Sequence, residues 1–293
     1  MKWNKLKLFL EMIKFEHTIF ALPFAFMGAL VGSVAEFGRL PEWAEIGWIV
    51  LAMVGARSAA MGLNRVIDKT IDAKNPRTAG RAIPAGLLNS KEVIVFIAVS
   101  FVLLFVATAN LSPLAMRLLP VAVFMLVFYS YTKRFTWTCH FILGLTIALA
   151  PLGGWVAVTG TISLPAIVLY ASVALWTAGF DIIYACQDVE FDRKEGLYSV
   201  PSRFGVAAAL WTARACHLLT AVGLFILFWL VPALSWWYLA GIVVAYVLLW
   251  NEHRIVSPRD LSKLNTAFFT MNGTLSVVVF GFTLLDLAVR FLW

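Results

Sequence analysis

Long apolar runs, about 18 to 22 residues each, recur through this chain between short charged or polar breaks. At 1.5 Å of rise per residue, a helix of that length crosses a hydrocarbon core of about 30 Å. Nine such spans are expected, at roughly 17–35, 44–63, 91–110, 113–131, 138–158, 162–186, 206–229, 232–250 and 267–289. Composition agrees: 61% of the 293 residues are hydrophobic and only 13% charged, too few for the surface of a soluble protein of this size. The expected fold class is all-α, a multi-pass transmembrane bundle of nine helices. Lysines precede the first run, as they do in a secretory signal. Glu11, Lys14 and Glu16 interrupt the approach, however, and His17 to Ala35 is longer than a signal's apolar region, so an uncleaved span is expected.

Charge sorts the breaks into two sides. Those at 36–43, 110–112, 159–161 and 231–233 are short, whereas those at 64–90, 132–137, 187–205 and 251–266 are long and charged. Of the 23 lysines and arginines, 19 fall with the N-terminus and the long loops. Arg39, Arg117 and Arg290 lie opposite, and Arg57 lies within the second span. The positive-inside rule then puts the N-terminus and long loops in the cytoplasm, in a protein integral to the cytoplasmic (inner) membrane. The same asymmetry accounts for the net charge of +7 without nucleic acid as a partner. Cys139, Cys186 and Cys216 stand in apolar contexts, and neither they nor the four histidines have metal-ligand spacing, so they read as core residues.

The chemistry concentrates in residues 57 to 86. Asn64, Asp68 and Asp72 recur every four residues, so a helix projects them from one face. Carboxylates leaving an apolar span are costly unless cations meet them, and Arg77 and Arg81 follow closely. A second copy lies four spans on: Asp188 and Asp192 end the sixth span, Arg193 and Lys194 follow, and Asp181 and Tyr184 precede them on the expected face. Units four spans apart share an orientation. A single membrane domain is therefore expected, built of two parallel-related units (about 17–131 and 138–250) plus a final helix at 267–289.

Two pairs of aspartates plus Asn64 supply hard oxygen donors of the kind magnesium takes, usually shared with substrate phosphates. Asn64, Asp68, Asp72, Asp188 and Asp192 are the candidate Mg2+ ligands, and the four aspartates are the candidate catalytic groups. Arg77, Arg81, Lys133, Arg134 and Lys194 are the candidate clamp on a diphosphate. Arg57, inside a span, calls for a partner or a function, with Asp181 or another carboxylate as the expected partner. Tyr184 is placed to steady a cation with its ring. Lys14, Glu16 and His17 are further candidates for the polar end of a second substrate.

These residues resemble the motifs of the UbiA superfamily of intramembrane aromatic prenyltransferases. The first motif matches Asn64-Arg-Val-Ile-Asp68-Lys-Thr-Ile-Asp72 with Asn75-Pro-Arg77-Thr-Ala-Gly-Arg81, and the second matches Asp181-Ile-Ile-Tyr184-Ala-Cys-Gln-Asp188-Val-Glu-Phe-Asp192. Lys14 to Pro23 is similar to the 4-hydroxybenzoate polyprenyltransferase branch or a menaquinone-pathway relative. Arg65 departs from the pattern, standing where many members have an aspartate; on a helix it points about 100° away from Asn64. The resemblance implies a bundle around a lipid-open cavity, with Mg2+ and a polyprenyl diphosphate held by the two motifs. It also implies transfer of the prenyl group to a phenolic carboxylate in quinone biosynthesis, 4-hydroxybenzoate first and a dihydroxynaphthoate as the alternative. Membrane lipid is the only other partner, with no obligatory protein partner evident. An ion-coupled transporter is the reading from another class; it expects acids near the midplane and inverted repeats, and here the acids sit at span ends in a parallel repeat.

Overall fold

The computed structural model describes residues 2–13 and 21–292, and every named element except an isolated bridge between Ser257 and Asp260 is helical. A surface helix α1 (Lys2–Met12) precedes α2 (Leu22–Phe37), α3 (Trp43–Ile67) and a one-turn α4 (Lys69–Lys74). Then come α5 (Ser90–Ala109), α6 (Pro113–Thr132), α7 (Cys139–Thr159) and α8 (Leu164–Ala185). Short α9 (Val189–Glu195) and α10 (Val200–Phe204) lead into α11 (Val206–Leu230), α12 (Trp236–Ile255) and α13 (Asn272–Leu292). Nine of these, α2, α3, α5 to α8 and α11 to α13, answer to the nine expected spans. Seven of the described helical segments are long and apolar enough to cross a membrane. The protein is an integral membrane protein.

Two boundaries differ from expectation for local reasons. The eighth span begins at Trp236, because Asp286 of α13 accepts hydrogen bonds from the Ser235 backbone N–H and hydroxyl and so caps α12 there. It continues to Ile255, because Glu252 is buried against Asn272. The ninth begins as a widened π-turn, Thr266–Met271, before α13. Residues 17–20 of the first span lie outside the described residues, as do Lys14, Glu16 and His17.

Each long helix packs on the next in a ring: α2, α3, α5, α6, α7, α8, α11, α12, α13 and back to α2. A close α2–α7 contact crosses the ring and divides it. Glycine permits that approach. A Cβ on Gly28 would meet the Pro151 carbonyl of α7, and one on Gly154 would meet the Ala25 carbonyl of α2. One half is filled by a core that includes Phe24, Met27, Trp155, Trp176, Leu224 and Tyr238. The other half encloses a cavity of about 590 Å³ between α3, α5, α6, α7 and the start of α8. Its walls are mostly apolar, with Arg57, Tyr129, Thr108, Thr146 and Tyr170 as the polar residues among them, and Val121, Ile162 and Ile167 along its edge are exposed on the outer surface.

Candidate active site

Both acidic motifs form where a spanning helix ends. α3 stops at Ile67, and Asp68, with φ −91° and ψ 3°, both ends α3 and starts α4. The i→i−4 bonds from Asp68 N–H to Asn64 and from Asp72 N–H to Asp68 still bridge this break. In the second motif α8 gives way to a 3₁₀ turn at Cys186–Asp188 before α9. The two motifs are therefore bent, and the expectation of one continuous face is corrected. A tightened or interrupted turn re-aims each side chain after it.

Asp68 is 1% exposed and carries the densest set of contacts. It accepts from Lys133 Nζ at 2.6 Å, from Arg134 Nη2 at 2.9 Å and from Asn64 Nδ2 at 2.9 Å. Lys133 and Arg134 come from the end of α6, so helix packing assembles this cluster. Arg65, the departure from the motif, is also buried, and it donates to Asn64 Oδ1 at 2.9 Å. With its oxygen so occupied, the Asn64 amide turns its NH2 toward Asp68. Asp72 takes both oxygens to Arg81 Nη1 at 2.8 Å.

The first loop reaches across to the second motif. Arg77 donates through Nε at 3.0 Å and Nη2 at 2.6 Å to the two oxygens of Asp188, and Asn75 Nδ2 adds a bond of 3.1 Å. The Arg77 guanidinium also lies 5.5 Å from the Tyr184 ring centroid. Burial works against its charge, but the hydrogen bond and Coulombic pull of Asp188 outweigh that and raise its pKa above the ordinary guanidinium value. Lys74 and Glu195 add a second link, at 2.6 Å. Asp68, Asp72, Asp188 and their cations thus meet at one end of the bundle. Asp192 accepts from Ser199 Oγ at 2.9 Å and lies near enough to Asp188 and Lys133 to feel their charges, whereas Lys194 is exposed on α9 at the margin of the cluster.

Of the carboxylates expected for Arg57, Asp181 pairs elsewhere. Its Oδ2 lies 2.7 Å from Nδ1 of His140, a buried residue of α7, while Arg57 lines the cavity. Val200 N–H donates to His140 Nε2, so Nδ1 carries the hydrogen given to Asp181. The sequence reads His140 only as a core histidine because its partner lies 41 residues away, and it gives Asn75, within the first motif, no role because an isolated asparagine carries no periodic signal. Cavity and cluster are adjacent. Tyr129 lines the cavity while its neighbour Ser130 is 3.5 Å from Asn64 Nδ2.

The sequence matches the UbiA prenyltransferase family over residues 25–274. The chain belongs to that family. This UbiA chain is a prenyltransferase. Among its relatives is a 4-hydroxybenzoate octaprenyltransferase of Aliivibrio fischeri (strain MJ11), 30% identical over 233 residues, which are 80% of each chain. A mitochondrial 4-hydroxybenzoate polyprenyltransferase of Arabidopsis thaliana is 34% identical over 218 residues, 73% of this chain and 53% of that one. The apo structure of a UbiA homolog from Aeropyrum pernix K1 superposes with a TM-score of 0.83 at 28% identity, covering 92% of this chain and 98% of that one. A UbiA homolog from Archaeoglobus fulgidus bound to DMAPP and Mg2+ shares the fold, with a TM-score of 0.74 at 17% identity over 96% and 99% of the two chains.

The donor chemistry of the cluster suits Mg2+: carboxylate oxygens at helix ends, and the Asn64 amide oxygen where it exchanges Arg65 for the ion, beside cations that can hold phosphate. Among the described residues no three histidine, cysteine, aspartate or glutamate side chains are grouped to hold a metal. Asp68, Asp72 and Asp188 are each neutralised by lysine or arginine instead. An arriving diphosphate is the natural competitor for those same cations.

Proposed function

We propose that this UbiA chain transfers a polyprenyl group from polyprenyl diphosphate to the aromatic ring of 4-hydroxybenzoate in quinone biosynthesis, at the cytoplasmic face of the inner membrane. The observation that carries this reading is the cross-motif pairing of Arg77 with Asp188, beside an apolar cavity whose polar end holds Arg57 and Tyr129. A lipid-soluble chain fits the cavity, and its charged head falls among the cations. The names of the relatives support the acceptor, and the crowding of lysine and arginine on the long-loop side supports the orientation.

Asn64, Asp68, Asp72, Asp188 and Asp192 would hold Mg2+, which supplies positive charge to the diphosphate when bound. Arg77, Arg81, Lys133 and Arg134, with Lys194 at the rim, stabilise the electron pair that the diphosphate carries away as the allylic C–O bond breaks. The Tyr184 ring stands by the allylic cation so formed. A ring carbon of the phenol then makes the new C–C bond and gives up its proton. Arg57 binds the acceptor's carboxylate at the head of the cavity, and Asp181, oriented by His140, lines the acceptor side.

A membrane assay with labelled prenyl diphosphates and both aromatic acids tests this. Transfer to 4-hydroxybenzoate that stops with a chelator and returns with Mg2+ is expected. Transfer to dihydroxynaphthoate alone would reassign the acceptor, and transfer to neither would end the reading.

A further inference from the structure

Tyr184 is backed by an element outside both motifs. The ring of Phe268 stacks on it, with centroids 4.1 Å apart and planes at 29°, and that of Phe269 meets it edge-on at 6.0 Å. Neighbouring residues on an α-helix point about 100° apart, so both rings do not ordinarily reach one partner. Here they do because both belong to the π-turn Thr266–Met271, whose wider spacing re-aims its side chains. Phe268 also packs edge-on against Phe180 at 5.3 Å, and Phe180 against Trp176 at 4.9 Å. Trp176, Phe180 and Tyr184 follow one another every four residues along α8, and Arg77 joins the last of this aromatic row to the motif carboxylate Asp188.

A widened turn leaves backbone carbonyls that need another donor. Asn272, 0% exposed, supplies it. Its amide NH2 donates to the Ala267 carbonyl at 3.0 Å and to Glu252 Oε1 at 2.9 Å, while its Oδ1 accepts from Trp176 Nε1 at 2.7 Å. One side chain thus clasps the π-turn to α8 and α12. Three buried hydrogen bonds at one asparagine are more than a helix start requires, and they fix the turn that carries Phe268.

We propose that Asn272 and Phe268 are positioning residues for the reaction: Asn272 clasps the π-turn, the turn presses Phe268 onto Tyr184, and Tyr184 thereby holds the Arg77 guanidinium in register with Asp188. The inference rests on the prenyl-transfer reading. Neither residue touches the reacting atoms. Their effect falls on alignment of charge at the leaving diphosphate, which acts on kcat rather than on capture of the lipid chain.

The test uses the full-length protein in detergent, with prenyl diphosphate, 4-hydroxybenzoate and Mg2+. Phe268→Leu and Asn272→Asp are expected to lower kcat on the order of tenfold to a hundredfold, as small misplacements do, with KM for the diphosphate changed less than about twofold. Phe268→Tyr restores the stacked ring and is expected to return kcat to within about threefold. The double variant should be no slower than the slower single one, since both act through one contact. Wild-type kcat in Phe268→Leu, no recovery in Phe268→Tyr, or multiplied losses in the double variant would overturn the clasp. If either substitution prevents folding, Phe268→Met, similar in volume but without a ring, gives the same readout. An inactive wild-type protein would instead strike the prenyl-transfer reading itself.

Discussion

Asp68 and Arg77 do different work within one charged cluster, and substitution separates them. Asp68 is held by two cations and an amide, so Asp68→Ala removes the anchor of the first motif and is expected to abolish turnover. The protein should stay folded, because the Lys133 and Arg134 side chains are 32% and 29% exposed and can turn to water. Detectable transfer by a well-folded Asp68→Ala protein would remove Asp68 from the site. Arg77 contributes shape as well as charge: a fork on Asp188 and a flat face on Tyr184. Lysine keeps the charge and loses both. Arg77→Lys should therefore lower kcat by about ten- to a hundredfold, and a measured loss under twofold would show that charge alone suffices. The sequence displayed the carboxylates and cations because they repeat at helical spacing. It could not display which cation meets which carboxylate, since Asp68–Lys133 spans 65 positions and Arg77–Asp188 spans 111. The contacts of Phe268 and of His140 were hidden for the same reason, with the added difficulty for Phe268 that nothing local marks a π-turn.

The nine long helices were legible because each must carry its own backbone hydrogen bonds through lipid, which leaves a long apolar run in the sequence. Their ends were less so. Asp286 caps α12 from 51 residues away, and the turns that bend both motifs answer to packing rather than to local propensity. Nor does hydropathy say which helices touch. The α2–α7 crossing depends on Gly28 and Gly154, which read in the sequence as ordinary apolar-span residues. In lipid there is little hydrophobic force between helices, so close backbone approach carries much of the association. Gly154→Leu drives a side chain into the Ala25 carbonyl and should destabilise the bundle by about 1–3 kcal/mol or more. Gly153→Leu on the same helix has open space around it and serves as the control. Thermal unfolding in detergent reads the difference. Equal melting temperatures for the two variants would mean that α2 and α7 do not pack through that face.

Across the molecule, the outer surface carries the marks of two membrane boundaries. Helix α5 presents Val95, Val99 and Val102 outward, each more than half exposed in the isolated chain, as lipid-facing residues do. Exposed tryptophans gather at two levels: Trp43, Trp229 and Trp236 by the short loops, Trp211 and Trp250 toward the long ones. On α11, Trp211 and Trp229 are separated by about 27 Å at 1.5 Å per residue, close to the thickness of a hydrocarbon core. Such belts fix the depth of a bundle but not its direction, because tryptophan favours both interfaces equally. Direction is read from charge: with 19 lysines and arginines at the N-terminus and long loops set against three opposite, we propose that the carboxylate cluster faces the cytoplasm. This can be checked independently of catalysis. In a protein whose three cysteines are replaced, Trp43→Cys, at a position 90% exposed, and Lys91→Cys, exposed beside the long first loop, mark the two faces. A membrane-impermeant maleimide should label Trp43→Cys in intact cells and Lys91→Cys only after permeabilisation. The opposite pattern would place the diphosphate site on the outer face, away from a cytoplasmic supply of both substrates. Labelling of both in intact cells would mean that the positive charge does not govern insertion here.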